Sequence, residues 1–195
     1  MPHNIFAKDS MKTHLRLFRK VKFLPAVFLM FFSLQAFAFT PTTLSRNGKL
    51  SVSGLQLVNE CGQPVYLRGV SSYHYDPGWC SGCCHCPDSF DFIANTMTAD
   101  VFRLALTPPV TGVTYEMSQI IEKTKQLGMY CIIDWHVLNP GDPNAYVTQA
   151  EAFWANMAHV YRDDKHLLFE ICNEPNGVTW PVIRQYEDRI ITAIS

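Results

Sequence analysis

A glutamate lies three residues after a short, mostly apolar run late in the chain. Residues 167–171, apolar except for Glu170, are typical of a strand covered on both faces. Cys172, Asn173, Glu174 and Pro175 come next. Because proline biases the preceding residue toward extended backbone, we expect Glu174 to be extended where this strand ends. The carboxyl ends of parallel strands carry the chemistry of α/β folds, and a carboxyl group there can donate and accept protons.

Strand pleating is expected to bring further polar side chains to Glu174. Arg103 and His136 lie on two earlier apolar strands, on the faces that would point into a barrel, so the three should converge near its mouth. A buried arginine needs carboxylate or amide partners. Asp134 and Glu170 lie deeper on the same faces, and we expect them to pair with Arg103 or with backbone donors.

These side chains depend on a strict alternation of strands and helices. A short hairpin of residues 50–58 and 64–67 leads into the first predicted strand. The predicted strands are residues 66–71, 101–106, 129–135 and 167–171, and the predicted helices are 87–95, 115–127, 148–161 and 180–194. This order predicts a parallel sheet with right-handed crossovers.

The first 38 residues indicate a secretory signal. Basic residues precede an apolar run over 23–35, and Ala36-Phe37-Ala38 fits a cleavage site. An uncleaved anchor is the alternative, although the run is shorter than the roughly 20 residues of a membrane span. Residues 39–48 would be a lead-in and 49–195 the amino-terminal half of a truncated barrel. Without the leader, the chain carries 10 basic and 16 acidic residues, which argues against a nucleic-acid partner.

Four strand motifs together resemble glycoside hydrolase family five, and most closely its secreted endo-β-1,4-glucanases (cellulases). The motifs are LRGVSS at 67–72, VFRLA at 101–105, CIIDWH at 131–136 and FEICNEPNG at 169–177. The resemblance implies a (β/α)8 TIM barrel, of which this chain holds about the first four β/α units. It also implies export, a β-glucan substrate, no cofactor and no membrane attachment after signal cleavage.

The resemblance assigns roles to the polar residues of a retaining mechanism. Glu174 would be the general acid/base, Asn173 would bind the sugar 2-hydroxyl, and Arg103 would orient the nucleophilic carboxylate. His136 would lie in the substrate cleft. In this family the nucleophile is a glutamate after the seventh strand, so we expect it to be absent here. Since retaining hydrolysis needs two carboxyl groups, we expect this chain alone to be inactive. We also expect it to be poorly soluble, because half a barrel leaves two sheet edges unpaired and apolar faces without partners.

The loop after the first strand departs from the family pattern. Tyr73 stands where relatives tend to have histidine, and His74 follows it. Trp79 either stacks on a sugar ring or anchors the loop. Thr107 replaces a frequent tyrosine. Tyr73, His74 and Trp79 are therefore the candidate substrate contacts of this loop.

A cysteine cluster in the same loop has no counterpart in the family pattern. The cluster comprises Cys80, Cys83, Cys84 and Cys86, beside His85. Loop-local disulfides, free thiols and a zinc site are all open, and we expect disulfides, with no metal, because the chain is exported. By contrast, we expect Cys131 and Cys172 to be plain core thiols.

Three other functions compete with a cellulase. A family member could cleave another β-glycan, such as mannan or xyloglucan. A decayed barrel could bind carbohydrate without catalysis, which the intact Arg103, His136, Asn173 and Glu174 argue against. A cysteine-rich metal or redox protein would leave the four strand motifs unexplained.

Overall fold

The computed structural model describes residues 40–72, 87–108, 110 and 112–195. The expected signal at 1–38 therefore lies outside the described residues. So do Tyr73, His74, Trp79 and the cluster of Cys80, Cys83, Cys84 and Cys86. The assignments made for them remain predictions.

Helices and strands alternate along most of the described chain. In order they are α1 (Thr43–Asn47), β1 (Ser51–Ser53), β2 (Gln56–Val58), β3 (Gly69–Ser71), α2 (Pro87–Asn95), β4 (Val101–Leu106), α3 (Tyr115–Gln126), β5 (Tyr130–Trp135), a 3₁₀ helix (Pro143–Tyr146), α4 (Val147–Val160), β6 (Leu167–Glu170) and α5 (Trp180–Ile194).

Strands β3 to β6 form a parallel sheet in chain order, as predicted. The predicted helices and the last three predicted strands are confirmed to within a residue or two at each end. The central strands β4 and β5 are almost wholly buried, whereas every residue of β6 is only half-buried. This difference follows from position, because β6 is an edge of the sheet that the described residues form.

The main core fills the layer between the sheet and the helices. Its largest members are Trp135 from β5, Phe153 and Trp154 from α4, and Tyr186 from α5, all without solvent exposure. The rings of Trp135 and Phe153 lie 5.1 Å apart between centroids, and those of Phe153 and Trp154 lie 5.0 Å apart. Packing of these rings fixes α4 and α5 against the outer face of the sheet.

Gly69 allows the first sheet strand to lie against the second. A Cβ atom at this position would lie 1.9 Å from the carbonyl oxygen of Val101. No side chain fits that space, so the glycine of the LRGVSS motif is a packing requirement for the pairing of β3 with β4.

The first sheet strand is shorter than predicted. It was expected over 66–71, but β3 covers only Gly69–Ser71. Arg68 instead bonds through its backbone to Asp100, with its N–H on the Asp100 carboxylate at 3.1 Å and its carbonyl accepting from the Asp100 N–H at 2.7 Å. These bonds take the place of ladder bonds at the entrance to the strand.

The structure also differs from the prediction in the hairpin and the lead-in. The hairpin forms within the first predicted segment, where β1 pairs with β2 around Gly54, and the expected pairing of 50–58 with 64–67 is reduced to a bridge between Val58 and Pro64. The lead-in contains α1, which Thr42 caps at its start and Gly48 ends.

Among the described residues, no helix combines the length and apolar character needed to cross a membrane.

Candidate active site

Arg103 is the centre of a charged cluster at the carboxyl end of the sheet. Its Nε and Nη2 atoms each donate to a different Glu170 oxygen at 2.7 Å, which is the bidentate geometry of a strong ion pair. Its Nη2 also lies 2.8 Å from Asp134 Oδ2 and 3.0 Å from Asn173 Oδ1, and Nη1 lies 3.3 Å from Ser71 Oγ. The prediction that Asp134 and Glu170 pair with this arginine is confirmed.

The sheet register explains how these groups meet. Asp134 and Glu170 are direct neighbours on β5 and β6, whereas Arg103 lies one pleat nearer the amino end of β4, where it pairs with Ile132. The long arginine side chain therefore reaches up to the level of the two carboxylates. Ala105 is the β4 neighbour of Asp134, and its small side chain leaves room for the guanidinium to pass.

His136 is tied to the same cluster through Asp134. Its Nδ1 lies 2.6 Å from Asp134 Oδ2, the oxygen that Arg103 also contacts. Asp134 has no solvent exposure, and the His136 ring is largely covered. Arg103 from β4 and His136 after the end of β5 thus share one carboxylate oxygen of Asp134.

Asn173 is held on both its backbone and its side chain. Its backbone N–H donates to the Trp135 carbonyl at 3.2 Å, and its Nδ2 donates to the Val137 carbonyl at 3.4 Å. Its amide oxygen consequently faces Arg103, and the residue is buried. The amide that the family resemblance assigns to the sugar 2-hydroxyl is therefore fixed in orientation.

Glu174 is not extended, which corrects the prediction. Strand β6 ends at Glu170, so pleating does not continue to Glu174, and Glu174 has a φ of +39°. The neighbouring turn overrides the bias that Pro175 imposes. The Nδ2 of Asn176 donates to the Glu174 carbonyl at 2.9 Å, and the Asn176 N–H donates to Gly141 on the preceding loop at 2.9 Å.

The end of strand pairing also separates Cys172 from the charged face. Cys172 packs against the main core. Burial raises the pKa of Cys172 to about 11 and that of Cys131 to about 12, so both remain thiols. Their interpretation as plain core thiols is confirmed.

Glu174 is exposed and belongs to the electrostatic surroundings of Arg103. Hydrogen bonding to Glu170 raises the pKa of Arg103, burial opposes that shift, and the charges of Asp134, Glu170 and Glu174 add to it. Burial and the charge of Glu170 raise the pKa of Asp134, although His136 and Arg103 act in the opposite direction. The cluster therefore surrounds one guanidinium with three carboxyl groups.

A cavity of about 220 Å³ opens beside the cluster. Among its lining residues are His136, Thr107, Asn139 and Tyr146. Thr107, which directly follows β4, thus lines the same cavity as His136. Larger grooves of about 530 and 540 Å³ lie between neighbouring helices of the outer layer and contain none of the clustered residues.

Sequence reasoning missed the contribution of Asn176 and Gly141. The sequence signal was present, since Asn176-Gly177 follows Pro175 and such residues favour turns. Their contact joins two loops that are distant in sequence, and a Cβ at Gly141 would lie 2.4 Å from Asn176 Oδ1.

Within the described residues, no group of three or more histidine, cysteine, aspartate or glutamate side chains is arranged to hold a metal ion.

Comparison with known proteins defines the class of this chain. The family described as Cellulase (glycosyl hydrolase family 5) matches residues 58–195. The chain therefore belongs to this family, and its parallel sheet is part of a (β/α)8 TIM barrel.

Individual relatives agree with the family match. Endoglucanase E-5 of Thermobifida fusca is 38% identical over 163 residues, which are 80% of this chain and 34% of the relative. The solved cellulase Cel5C_n superposes with a TM-score of 0.69 at 39% identity, covering 78% of this chain and 51% of its own. A solved catalytic domain of the T. fusca endoglucanase Cel5A (E5), in complex with cellotetraose, has a TM-score of 0.67 at 34% identity and covers 78% of this chain and 52% of its own. The chain spans about a third of the curated relative and half of each solved chain, so it corresponds to part of a catalytic domain.

Proposed function

We propose that this chain is the amino-terminal part of a retaining hydrolase that cleaves β-1,4-linked glucan. The observation that carries the proposal is the cluster in which Arg103 binds Asp134, Glu170 and Asn173. The exposed Glu174 directly follows Asn173. This arrangement lies at the carboxyl ends of parallel strands, where barrel enzymes place their chemistry. Family membership supports the same reading.

Glu174 would act as the general acid/base. Its carboxyl group is exposed, so it can reach a glycosidic oxygen, protonate the leaving group and later take a proton from the attacking water. Asn173, buried and held by two backbone carbonyls, would present its amide to the sugar 2-hydroxyl. His136 and Thr107 would line the cleft in which a sugar unit rests.

The nucleophile would come from a part of the domain that this chain does not span. A retaining enzyme needs two carboxyl groups about 5–5.5 Å apart. Among the described residues, the neighbouring carboxylates Asp134 and Glu170 are already bound to Arg103 and are poorly placed to attack a sugar. Arg103 would hold its partners and add positive charge where the incoming carboxylate lies.

We further infer that the whole protein is exported and that its partner is a β-glucan polysaccharide. The basic and apolar leader at 1–38 supports export. The relative solved with cellotetraose supports a β-glucan substrate. Mannan or xyloglucan is the alternative substrate class, and assays on all three glycans would separate them.

Glu174→Gln in the protein that the gene encodes in full tests the assignment. It keeps the shape and removes the titrating group, so turnover of carboxymethylcellulose should fall by about 10²–10⁴-fold. The matched control is Glu122→Gln, because Glu122 is an exposed glutamate on α3 whose side chain accepts a bond from Gln126. Equal turnover of both variants would exclude Glu174 as the acid/base.

A further inference from the structure

One carboxylate oxygen joins two side chains of the cleft. Asp134 Oδ2 lies 2.8 Å from Arg103 Nη2 and 2.6 Å from His136 Nδ1. Asp134 itself has no solvent exposure, so it cannot touch a sugar directly. Any part it has in the reaction must act through the two residues that it binds.

The contact determines the form of His136 as well as its place. A carboxylate can only accept, so a neutral His136 must carry its proton on Nδ1 to bond Asp134. The opposite ring nitrogen, Nε2, is then an acceptor. His136 lines the cavity beside the cluster, and the tautomer therefore decides what the ring can offer there.

Arg103 shares the same dependence. Glu170 binds its Nε and Nη2, and Nη2 also contacts Asp134 Oδ2 and Asn173 Oδ1. The guanidinium plane is thereby set largely by carboxylates on two neighbouring strands, β5 and β6. Loss of Asp134 would remove the side-chain contact of Arg103 to β5 and leave Glu170, Asn173 and the longer contact to Ser71.

The bonding of Asp134 is a poor choice for stability alone. Its second oxygen, Oδ1, is buried and has no hydrogen-bond partner among the described residues. Asp100, the other buried aspartate in the described chain, has partners on both oxygens: Thr43 on Oδ1 and the Arg68 N–H on Oδ2. A buried carboxylate that is only half satisfied is destabilising, and such local conflicts concentrate at functional sites.

We propose that Asp134 is a positioning residue that locks Arg103 and His136 into one arrangement and sets the tautomer of His136. Its importance for hydrolysis rests on the proposed function, whereas the lock itself does not. The proposal predicts different results for two variants of Asp134. In Asp134→Asn the amide oxygen can replace Oδ2 and keep both contacts, whereas Asp134→Ala loses them.

The test uses the protein that the gene encodes in full, labelled with ¹⁵N in its histidines. Comparison with His136→Gln identifies the His136 ring signals. We expect the proton on Nδ1 in the parent protein, in Asp134→Asn and in the control Asp100→Asn. In Asp134→Ala we expect the proton to move toward Nε2. Thermal unfolding of each variant shows whether it is folded.

Cellotetraose hydrolysis gives the second readout. We expect kcat/KM to fall about 100-fold in Asp134→Ala and about 10-fold in Asp134→Asn, mainly through kcat, because small displacements of positioned groups have effects of this size. Asp100→Asn, which removes a buried carboxylate at the other end of β4, should retain the parent value.

The outcomes separate the two proposals. An unchanged His136 tautomer in Asp134→Ala, or activity within about twofold of Asp100→Asn, would overturn the role of Asp134. If Asp134→Ala does not fold, Asp134→Asn decides instead: a His136 proton on Nε2 together with full activity would overturn the role. A parent protein whose His136 carries its proton on Nδ1 but which leaves cellotetraose intact would refute the proposed function. It would still uphold the positioning of His136 by Asp134.

Discussion

The two ends of the same parallel sheet hold their charges in different ways. At the amino end, Asp100 is bonded by Thr43 and by the backbone of Arg68, and His166 Nε2 donates to the Ile121 carbonyl at 3.1 Å. A loop and two helices thus supply the partners of these two residues, although His166 Nδ1 has no hydrogen-bond partner among the described residues. At the carboxyl end, the charged side chains are bonded chiefly to one another.

The difference separates stability from chemistry. Backbone partners such as the Arg68 N–H and the Ile121 carbonyl persist when side chains are substituted, which suits the amino end to closing the fold. The carboxyl end instead depends on a network in which Arg103 serves several acceptors at once, and removal of one member changes all the others. In barrel enzymes the amino end is the stability face and the carboxyl end is the active face.

The largest expected effect concerns the 195-residue chain by itself. We expect no turnover of carboxymethylcellulose, since the carboxyl end of its described sheet lacks a carboxyl group free to act as nucleophile while Arg103 holds Asp134 and Glu170. Release of reducing ends measures this, with the protein that the gene encodes in full as the reference. Clear turnover by the purified monomer would contradict the proposal that the nucleophile lies in a part of the domain that this chain does not span.

Arg103→Met should strongly destabilise the fold. It leaves Asp134 without its cation in a fully buried place, so we expect the free energy of unfolding to fall by about 3 kcal/mol. This is the low end of the usual range, because the Glu170 side chain is 34% exposed. Urea unfolding gives the value.

The surface provides a matched control for that arginine. Arg189 binds Glu151 with the same bidentate geometry, at 2.7 Å for both bonds, but its side chain is 42% exposed. Arg189→Met should leave the free energy of unfolding nearly unchanged, because solvent screens an exposed pair. Similar losses for both variants would mean that burial does not distinguish the two pairs.

Asp100→Asn should weaken the amino end by about 1–2 kcal/mol at pH 7. Burial alone would raise the pKa of Asp100, but the bonds from Thr43 and Arg68 hold it below its ordinary value of 3.8. Its stabilising effect is therefore present above pH 3.8 and lost as the pH falls further. Thermal unfolding from pH 7 to pH 3 should show the two proteins converging, and a constant difference would contradict this. Asp163→Asn, whose side chain is 98% exposed, is the control.

His166→Gln should have the smallest effect, confined to acid pH. Burial lowers the pKa of His166, while the Ile121 carbonyl and the charge of Asp164 oppose the shift. The unfolded chain then binds the proton first, so the protein loses stability as the pH falls below 6.5, with a slope of at most about 1.4 kcal/mol per pH unit. The variant should lack this part of the slope. Identical slopes in urea unfolding from pH 7 to pH 5 would refute it.

The sequence predicted what depends on periodicity within one element. The strands and helices follow from local apolar patterns, and the pairing of Arg103 with Asp134 and Glu170 follows from pleating, because all three lie inside regular strands. The short helix α1 was missed although Thr42 and Gly48 carry its capping signals. Its five residues give too little periodicity to detect.

The same reasoning failed where the strand ends. The conformation of Glu174 depends on Asn176 and Gly141, which lie on two different loops. Alternation has no meaning beyond Glu170, and the preference of a residue before proline is weaker than a tertiary turn. That Glu174 lies near Arg103 was thus predictable, and its backbone conformation was not.

The turn at Glu174 limits how this acid could be transplanted into another barrel. Because the Asn176 N–H donates to the Gly141 carbonyl, the peptide 173–177 and the preceding loop at 139–141 form one unit. A graft of the Asn-Glu-Pro segment alone would carry the residue without the loop that aims it. A successful recipient would need both segments, with a glycine where the second loop passes closest.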